Sequence, residues 1–313
     1  MSAWKILLTD GLEENGQAIL RKSAQVDNRP TITADELLQV VGEYDAMIVR
    51  GRTKVIPAVF EAGKKLRVVG RAGVGVDNIN LDAAREHGVT VVNSPMATTV
   101  AVAELAIGLM LAVAREIPRA DAGMKASKWL KKEMEGTELW HKKLGVIGFG
   151  RIGQATARRA AAFEMEILAY DPLIQADDIT RGGGKPVSFD ELLAQSDIIT
   201  LHLPLTPESK NILNADAFAR MKDGVRIICA ARGGVIDEDA LLAALESGKV
   251  AAAGLDVYAT EPPGLTPLVS HPRVVCTPHI GAQTVEAQVR AADDIASEVL
   301  AALEGKPLRW KVA

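Results

Sequence analysis

One stretch constrains this chain more than any other: residues 144–171, LGVIGFGRIGQATARRAAAFEMEILAYD. A short apolar run at 144–147 enters a glycine turn, Gly148-Phe149-Gly150-Arg151-Ile152-Gly153. A helix-forming segment follows at 154–163, and a second apolar run at 167–170 ends on Asp171. Gly148 admits a tight turn, Gly150 lets a pyrophosphate approach bare backbone, and Gly153 lets helix and strand pack closely. The helix start then offers free N–H groups to phosphate oxygens. Asp171 lies 18 residues after Gly153 (171 − 153), where a carboxylate would accept hydrogen bonds from a ribose 2′-OH. A glycine turn alone is a weak signal. With a strand before it, a helix after it, a second strand and a terminal acid, it predicts a dinucleotide-binding βαβ unit.

At 313 residues the chain suits two domains of about 100–200 residues each. Its net charge of −4, with no long basic run, argues against nucleic acid as a partner. The opening MSAWKILLTDGLEENG has too short an apolar run for a signal peptide and meets acids at once. No uncharged stretch reaches the roughly 18 residues a membrane span needs. The two cysteines, Cys229 and Cys276, lie in apolar strand-like runs. They are expected as buried thiols in a reducing cytoplasm.

The N-terminal third alternates apolar runs at 5–9, 46–49, 66–69 and 89–92 with helical patterns at 11–20, 33–41, 57–62 and 81–87. Such alternation predicts an α/β chain with parallel, doubly wound sheets. Thr33 with Glu36, and Ser188 with Glu191, have capping-box spacing. Residues 100–115, VAVAELAIGLMLAVAR, are apolar around nearly the whole helix except at Glu104 and Arg115. A helix of that kind is expected to be covered on more than one side, between lobes or in a homodimer. The segment 120–132, with Lys125, Lys128, Lys131 and Lys132, reads as a basic helix.

After the fingerprint come apolar runs at 198–201, 225–230, 251–257 and 274–277. In an open parallel sheet, ligands sit beyond the carboxyl ends of strands. Arg232, Glu261 and His279 each fall just past such an end, on the edge that carries the glycine turn. The amphipathic pattern at 286–303 is expected to return the chain to the first lobe. That predicts a substrate lobe of 1–97 plus 287–313 around a nucleotide-binding lobe of 98–286.

A nicotinamide exchanges a hydride with carbon while a proton moves at the attached oxygen, so the site needs an acid–base group near neutral pH. His279 fits that role, and a carboxylate such as Glu261 would stabilise its imidazolium and fix its tautomer. Arg232 offers a planar fork for a carboxylate and a polarised carbonyl. Taken singly, each could be a surface ion pair; it is their convergence that points to catalysis. The prolines after His202 suggest backbone contact with the cofactor instead. His87, His141 and His271 read as surface residues.

These motifs identify the chain as similar to the D-2-hydroxyacid dehydrogenase family over almost its whole length, most of all to the phosphoglycerate-oxidising branch. The segments that carry the resemblance are VGRAGVGVDNI (69–79), GTEL (136–139), LGVIGFGRIG, HLPLTPES, ARGGVIDEDAL (231–241), GLDVYATEPP and TPHIGAQT. The resemblance implies a Rossmann NAD-binding domain inserted into a flavodoxin-like substrate-binding domain. It implies Arg232, Glu261 and His279 as the catalytic triad. Substrate would be held by the backbone of Ala72, Gly73, Val74 and Gly75, by the loop Arg50-Gly51-Arg52, and by Arg232 and His279. NAD would lie along Val100, the Gly148–Gly153 turn, Tyr170, Asp171 and Pro172. His202, Leu203, Pro204, Thr206, Ala230, Ala231, Arg232, Asp256, His279 and Gly281 would complete its site, with Asp256 near the carboxamide.

No metal is implied. The expected substrate is a small anionic 2-hydroxy or 2-oxo acid. The first choice is 3-phospho-D-glycerate, the starting point of serine synthesis, its phosphate held by Arg50 and Arg52 with help from a neighbouring subunit's Lys131. Glyoxylate or hydroxypyruvate reduction is the alternative, and an NAD-sensing corepressor-like protein a more distant one. Three positions depart from the family pattern: Gly51 and Gln283 stand where serine is usual, and Cys229 where asparagine is common. No counterpart of the regulatory C-terminal domain of longer relatives is expected.

Overall fold

The computed structural model describes residues 4–313, which form two compact units: one reaching Thr98 and resuming at Ala282–Ala313, the other Thr99–Gly281. The first unit opens with β1 (Trp4–Leu8), α1 (Glu14–Leu20), β2 (Ala24–Asn28), α2 (Ala34–Val40) and β3 (Ala46–Val49). It continues with α3 (Pro57–Ala62), β4 (Val68–Arg71), α4 (Leu81–Glu86) and β5 (Thr90–Asn93). Its five strands are parallel in the order β2-β1-β3-β4-β5. All four residues of β3 are buried, since a central parallel strand is covered on both faces and must be apolar throughout. β2, AQVDN, is an edge strand with polar residues, which is why apolar periodicity does not reveal it. Thr33 and Glu36 form the full reciprocal capping box at the start of α2.

The second unit runs through α5 (Thr99–Ala114), α6 (Ile117–Lys125), β6 (Lys143–Ile147), α7 (Arg151–Ala161), β7 (Glu166–Tyr170), α8 (Ala176–Arg181) and β8 (Lys185–Pro186). Then come α9 (Phe189–Gln195), β9 (Ile198–Leu201), α10 (Ala215–Arg220), β10 (Val225–Cys229), α11 (Glu238–Glu246), β11 (Val250–Leu255) and β12 (Val274–Cys276). Seven parallel strands lie in the order β12-β11-β10-β9-β6-β7-β8. The order reverses between β6 and β9, so the glycine turn after β6 sits at the topological switch, where such sheets bind ligands.

Three local expectations are corrected. The apolar face of α5 is largely consumed inside this unit: Ala106, Ile107, Leu109, Met110, Val113 and Ala114 are buried in one core with β6, β7 and α7. The basic stretch 120–132 is not one helix, because α6 ends at Lys125 and Ser127 takes a left-handed φ of 56°. Ser188 accepts the Glu191 N–H at 3.1 Å, but the Glu191 carboxylate accepts from Gln195 instead of closing a capping box. Of the two cysteines Cys229 is buried and Cys276 half-buried, and both are free thiols.

The chain then rejoins the first unit as α12 (Val285–Leu303). The crossing falls at Gly281–Ala282 rather than at 286–287. Thr284 caps α12 by accepting the Ala287 N–H, and Gln288 donates to the Ala282 carbonyl, so 282–284 travel with the helix. α12 packs on α1 and β4 through small residues. A Cβ on Gly16 would lie 2.7 Å from the Ala292 carbonyl oxygen, and one on Gly70 would lie 2.6 Å from Val299. Beyond the helix the chain turns back, and Val312 donates to the Val91 carbonyl along β5.

Glu298 secures that return. Its buried carboxylate accepts the N–H groups of Arg309 and Trp310 and the Arg309 guanidinium at 3.0–3.1 Å. Charge-assisted hydrogen bonds of this kind contribute about 1.5–3 kcal/mol. Glu298→Gln is therefore expected to lower unfolding stability by about 1–3 kcal/mol, read by urea denaturation. Unchanged stability would show that the carboxylate does not hold the tail.

Candidate active site

The glycine turn is shaped by backbone-to-backbone contact. Gly148, at φ 87°, lies so close to β9 that a Cβ would sit 2.7 Å from the His202 carbonyl oxygen. A Cβ on Gly153 would meet the Gly148 carbonyl oxygen at 2.2 Å. Around Gly150, by contrast, a Cβ would find nothing within 4 Å. Gly150 is also the N-cap of α7 and provides no side-chain cap, so the first-turn N–H groups face an open approach. The Phe149 ring is buried core, leaving its backbone as the exposed chemistry. Arg151 is exposed and Ile152 half-buried on that same first turn.

Asp171 closes the other side of this cradle. One carboxylate oxygen accepts the Phe149 N–H at 2.8 Å and the other the Leu173 N–H at 2.9 Å. Each oxygen keeps a lone pair for a ribose hydroxyl. Beside it, Tyr170 is half-buried against Phe189 and Pro172 is exposed. An anion cradle with bare glycine, an uncapped helix start and a ribose-height carboxylate fits a dinucleotide.

His202 follows β9 and is half-buried. Nε2 lies 3.0 Å from the Thr200 hydroxyl, and Nδ1 is buried without a hydrogen-bond partner. Burial pushes its pKa down to about 4, so it stays neutral across the working range. Leu203, Pro204 and Thr206 continue from it, and Thr206 is folded onto Ser209 through a 2.7 Å N–H bond. Val100 is exposed on the first turn of α5. The side chains of Ala230 and Ala231 are buried, which leaves their backbone as the available contact.

Glu261 and His279, apart in sequence, meet: Oε2 lies 2.7 Å from Nδ1. The other Glu261 oxygen accepts the Tyr258 N–H at 3.1 Å. With Nδ1 committed, Nε2 is the ring atom that can exchange a proton with a ligand. Arg232 is half-buried after β10, with Nη1 donating to the Ala231 carbonyl at 2.6 Å. Its loop is pressed against the Glu261 loop, since a Cβ on Gly233 would lie 1.7 Å from the Tyr258 carbonyl oxygen. Glu238, at the start of α11, ties the same loop by accepting the Ala259 N–H at 2.6 Å. Sequence patterning does not single out Glu238; its only signal is an acid in the first turn of a helix following the arginine loop.

Asp256 ties down a loop of its own unit. Almost fully buried, it accepts from the Thr277 hydroxyl at 2.6 Å and from the N–H groups of Ile280 and Gly281 at 2.8 Å. Its carbonyl accepts the His279 N–H at 2.9 Å. It therefore shapes the loop that carries His279, whose φ is a left-handed 53°. Among the described residues, no group of three or more His, Cys, Asp or Glu side chains is placed to hold a metal ion.

In the first unit, Gly73 takes φ 141° and donates its N–H to the buried Ser94 hydroxyl at 2.7 Å, while Asn93 holds the Val74 carbonyl. This fixes the 72–75 loop. The 50–53 loop departs from the expected division of labour. Arg52, though half exposed, is tied down, donating to the carbonyls of Thr9 and Ile32 and pairing with Asp10 at 3.1 Å. Among the described residues, the Arg50 guanidinium has one long contact, to Glu13 at 3.5 Å, and nothing lies within 4 Å of a Cβ built on Gly51.

A family model described as "D-isomer specific 2-hydroxyacid dehydrogenase, NAD binding domain" matches residues 107–281. The chain belongs to that family. It is 48% identical over 304 residues to D-3-phosphoglycerate dehydrogenase 2, chloroplastic, of Arabidopsis thaliana, covering 96% of this chain and 49% of that protein. It is 45% identical over 303 residues to the hydroxypyruvate reductase of Thermotoga maritima, covering 96% of this chain and 98% of that one. Among solved structures, a glyoxylate reductase from Paecilomyes thermophila superposes with a TM-score of 0.91 at 34% identity, covering 100% of this chain and 99% of that one. The chain spans about half the length of the D-3-phosphoglycerate dehydrogenases it matches. No helix among the described residues is long and apolar enough to cross a membrane.

The half-buried His202 has a signed effect on stability. Its folded pKa lies below the ordinary 6.5, so the unfolded chain binds the proton first as pH falls. Stability is lost between pH 6.5 and about 4, by up to about 3 kcal/mol. His202→Asn is expected to flatten that part of the pH profile, read as the change in Tm between pH 7 and 4.5 against wild type. Parallel profiles would show that His202 does not titrate there.

Proposed function

We propose that this protein oxidises a D-2-hydroxy acid, with 3-phospho-D-glycerate as the substrate. The observation that carries the chemistry is the 2.7 Å contact between Glu261 and His279 Nδ1. NAD, when bound along the glycine turn, supplies the hydride acceptor. His279 Nε2 takes the hydroxyl proton in oxidation and returns it in reduction. Glu261 holds the ring in the tautomer this requires and stabilises the imidazolium by charge. Arg232 holds the carboxylate and the C2 oxygen with its planar fork. The backbone N–H groups at Ala72–Gly75 hold the substrate carboxylate, as the family resemblance implies. Asp171 favours NAD over NADP, since a 2′-phosphate would meet its negative charge.

Phosphoglycerate as substrate is supported by similarity to phosphoglycerate dehydrogenases at 45–48% identity. A second reading, hydroxypyruvate reduction, is supported by the Thermotoga relative that the chain matches over 98% of its length. The two differ in one anionic group, which in this reading the loop cation Arg50 would meet. Phosphohydroxypyruvate, hydroxypyruvate, glyoxylate and 2-oxoglutarate should be compared with NADH, and the best of them repeated with NADPH. A charge-assisted contact contributes about 1.5–3 kcal/mol, so Arg50→Ala should lower kcat/KM for phosphohydroxypyruvate by about tenfold or more. Hydroxypyruvate should be nearly unaffected. Equal losses, or a wild-type preference for hydroxypyruvate, would move the assignment to the reductase.

The reading includes a homodimer in a reducing cytoplasm, the latter supported by two free thiols. Support for assembly comes less from α5 than from the segment after it, where Ile117, Met124, Trp129 and Trp140 are large apolar side chains more than half exposed. Light scattering at micromolar concentration should give twice the 33.3 kDa chain mass. A monomer would refute it.

A further inference from the structure

The order β2-β1-β3-β4-β5 puts the topological switch of the first unit between β1 and β3. Ligands of open parallel sheets bind beyond the strand ends at such a switch. Two segments meet there: Asp10, just past β1, and the loop 50–53, just past β3. The Asp10 side chain is only 4% exposed. One of its oxygens accepts the N–H groups of Arg50 at 2.7 Å and Thr53 at 3.2 Å. The other accepts the Thr53 hydroxyl at 2.5 Å and pairs with the Arg52 guanidinium at 3.1 Å. From the opposite side, Asn78 donates to the carbonyls of Arg50 at 2.9 Å and Thr53 at 2.7 Å.

A buried carboxylate is costly unless its lone pairs are satisfied. This one receives four donors, all from a single four-residue loop. The two arginines of the loop are treated differently as a result. Arg52 is bound at Asp10, Thr9 and Ile32 and acts as a strut. Arg50 has its backbone fixed by Asp10 and Asn78, while among the described residues its guanidinium keeps only the 3.5 Å contact to Glu13 and its Nε is buried without a partner.

We propose that Asp10 is a positioning residue for the substrate-anion loop: it ties down the exposed Arg52 and fixes the backbone from which the half-buried Arg50 reads the substrate's distal anion. This rests on the 2-hydroxy-acid reading above. Asp10 does no chemistry, so its removal should be felt in substrate binding rather than in turnover. Freeing Arg52 adds a cation but releases the loop backbone, and the loss of order dominates.

The experiment compares wild type with Asp10→Asn, nearly isosteric, and Thr53→Ala, which removes one donor and no charge. Asp10→Asn should raise KM for phosphohydroxypyruvate by about tenfold, with KM for hydroxypyruvate and kcat within about twofold and NADH binding unchanged. Thr53→Ala should raise KM in the same direction by less. Hydrogen exchange should show the Arg50 and Thr53 amides opening in Asp10→Asn while those of β3 stay protected. Faster exchange with unchanged KM would assign Asp10 a purely structural role and overturn the proposal. So would a lower KM for phosphohydroxypyruvate, which would make Asp10 a brake on charge. Should wild type reduce none of the acids, the dehydrogenase reading fails separately. Even then, unprotected Arg50 and Thr53 amides in wild type would overturn the loop anchor.

Discussion

The second unit depends on how closely two backbones approach at the switch between β6 and β9. Gly148 can lie against the His202 carbonyl, and Gly153 against the Gly148 carbonyl, only because neither has a side chain. That approach brings the start of α7 over the strand ends and leaves Gly150 bare on the outside. Arg232, Glu261 and His279 gain meaning from the same arrangement. Each follows a strand on one side of the switch, so its loop opens on the edge where the helix N–H groups point. Filling either glycine with a methyl would push the helix away and cost the cradle before any charged residue was touched.

Both units solve one problem in the same way. Where the first strand of each sheet begins, its N–H needs a partner, and the acid just before the next strand across the switch supplies it. Asp45 precedes β3 and accepts the Lys5 N–H at 2.8 Å; Asp197 precedes β9 and accepts the Lys143 N–H at 2.8 Å. For Asp197, burial works against ionisation, yet the Lys143 N–H and the Lys222 ammonium hold its carboxyl below the usual carboxylate range. At the opposite, carboxyl ends, Asp10, Asp171 and Asp256 accept backbone N–H groups of the loops that follow the strands. Acids at both ends of the sheets thus satisfy main-chain donors that the ladders leave over.

How much the sequence makes legible depends on burial. Strands covered on both faces are continuous apolar runs, and Ala46–Val49 and Ile198–Leu201 can be read to the residue. Two of the edge strands cannot: β2 carries Gln25, Asp27 and Asn28, and β8 is two residues long. The β4 strand lies two residues later than the apolar pattern suggests, because Gly70 belongs to the strand to make room for Val299 of α12. Glu261 and His279 are legible as a pair because both follow strand ends. The ties made by Asp10, Glu238 and Asp256 are not, since an acid that folds back on a loop looks in sequence like any surface acid. The same blindness makes Arg52 seem an available cation, when Asp10, forty-two positions earlier (52 − 10), has already taken it.

The His279 loop shows why such ties matter. A residue with a Cβ at φ 53° sits in a region that costs about 1–2 kcal/mol and persists only if its surroundings over-determine it. Asp256 supplies that determination from the backbone side, gripping Thr277, Ile280, Gly281 and the His279 N–H itself. Glu261 supplies it from the ring side, and is in turn fixed by the Tyr258 N–H. One acid sets where the imidazole stands and the other sets which nitrogen faces outward. Neither can do the other's work: an imidazole held only by its ring could swing with the loop, and one held only by its backbone could present either nitrogen. Two carboxylates, both just past the end of β11, together give the histidine one position and one tautomer.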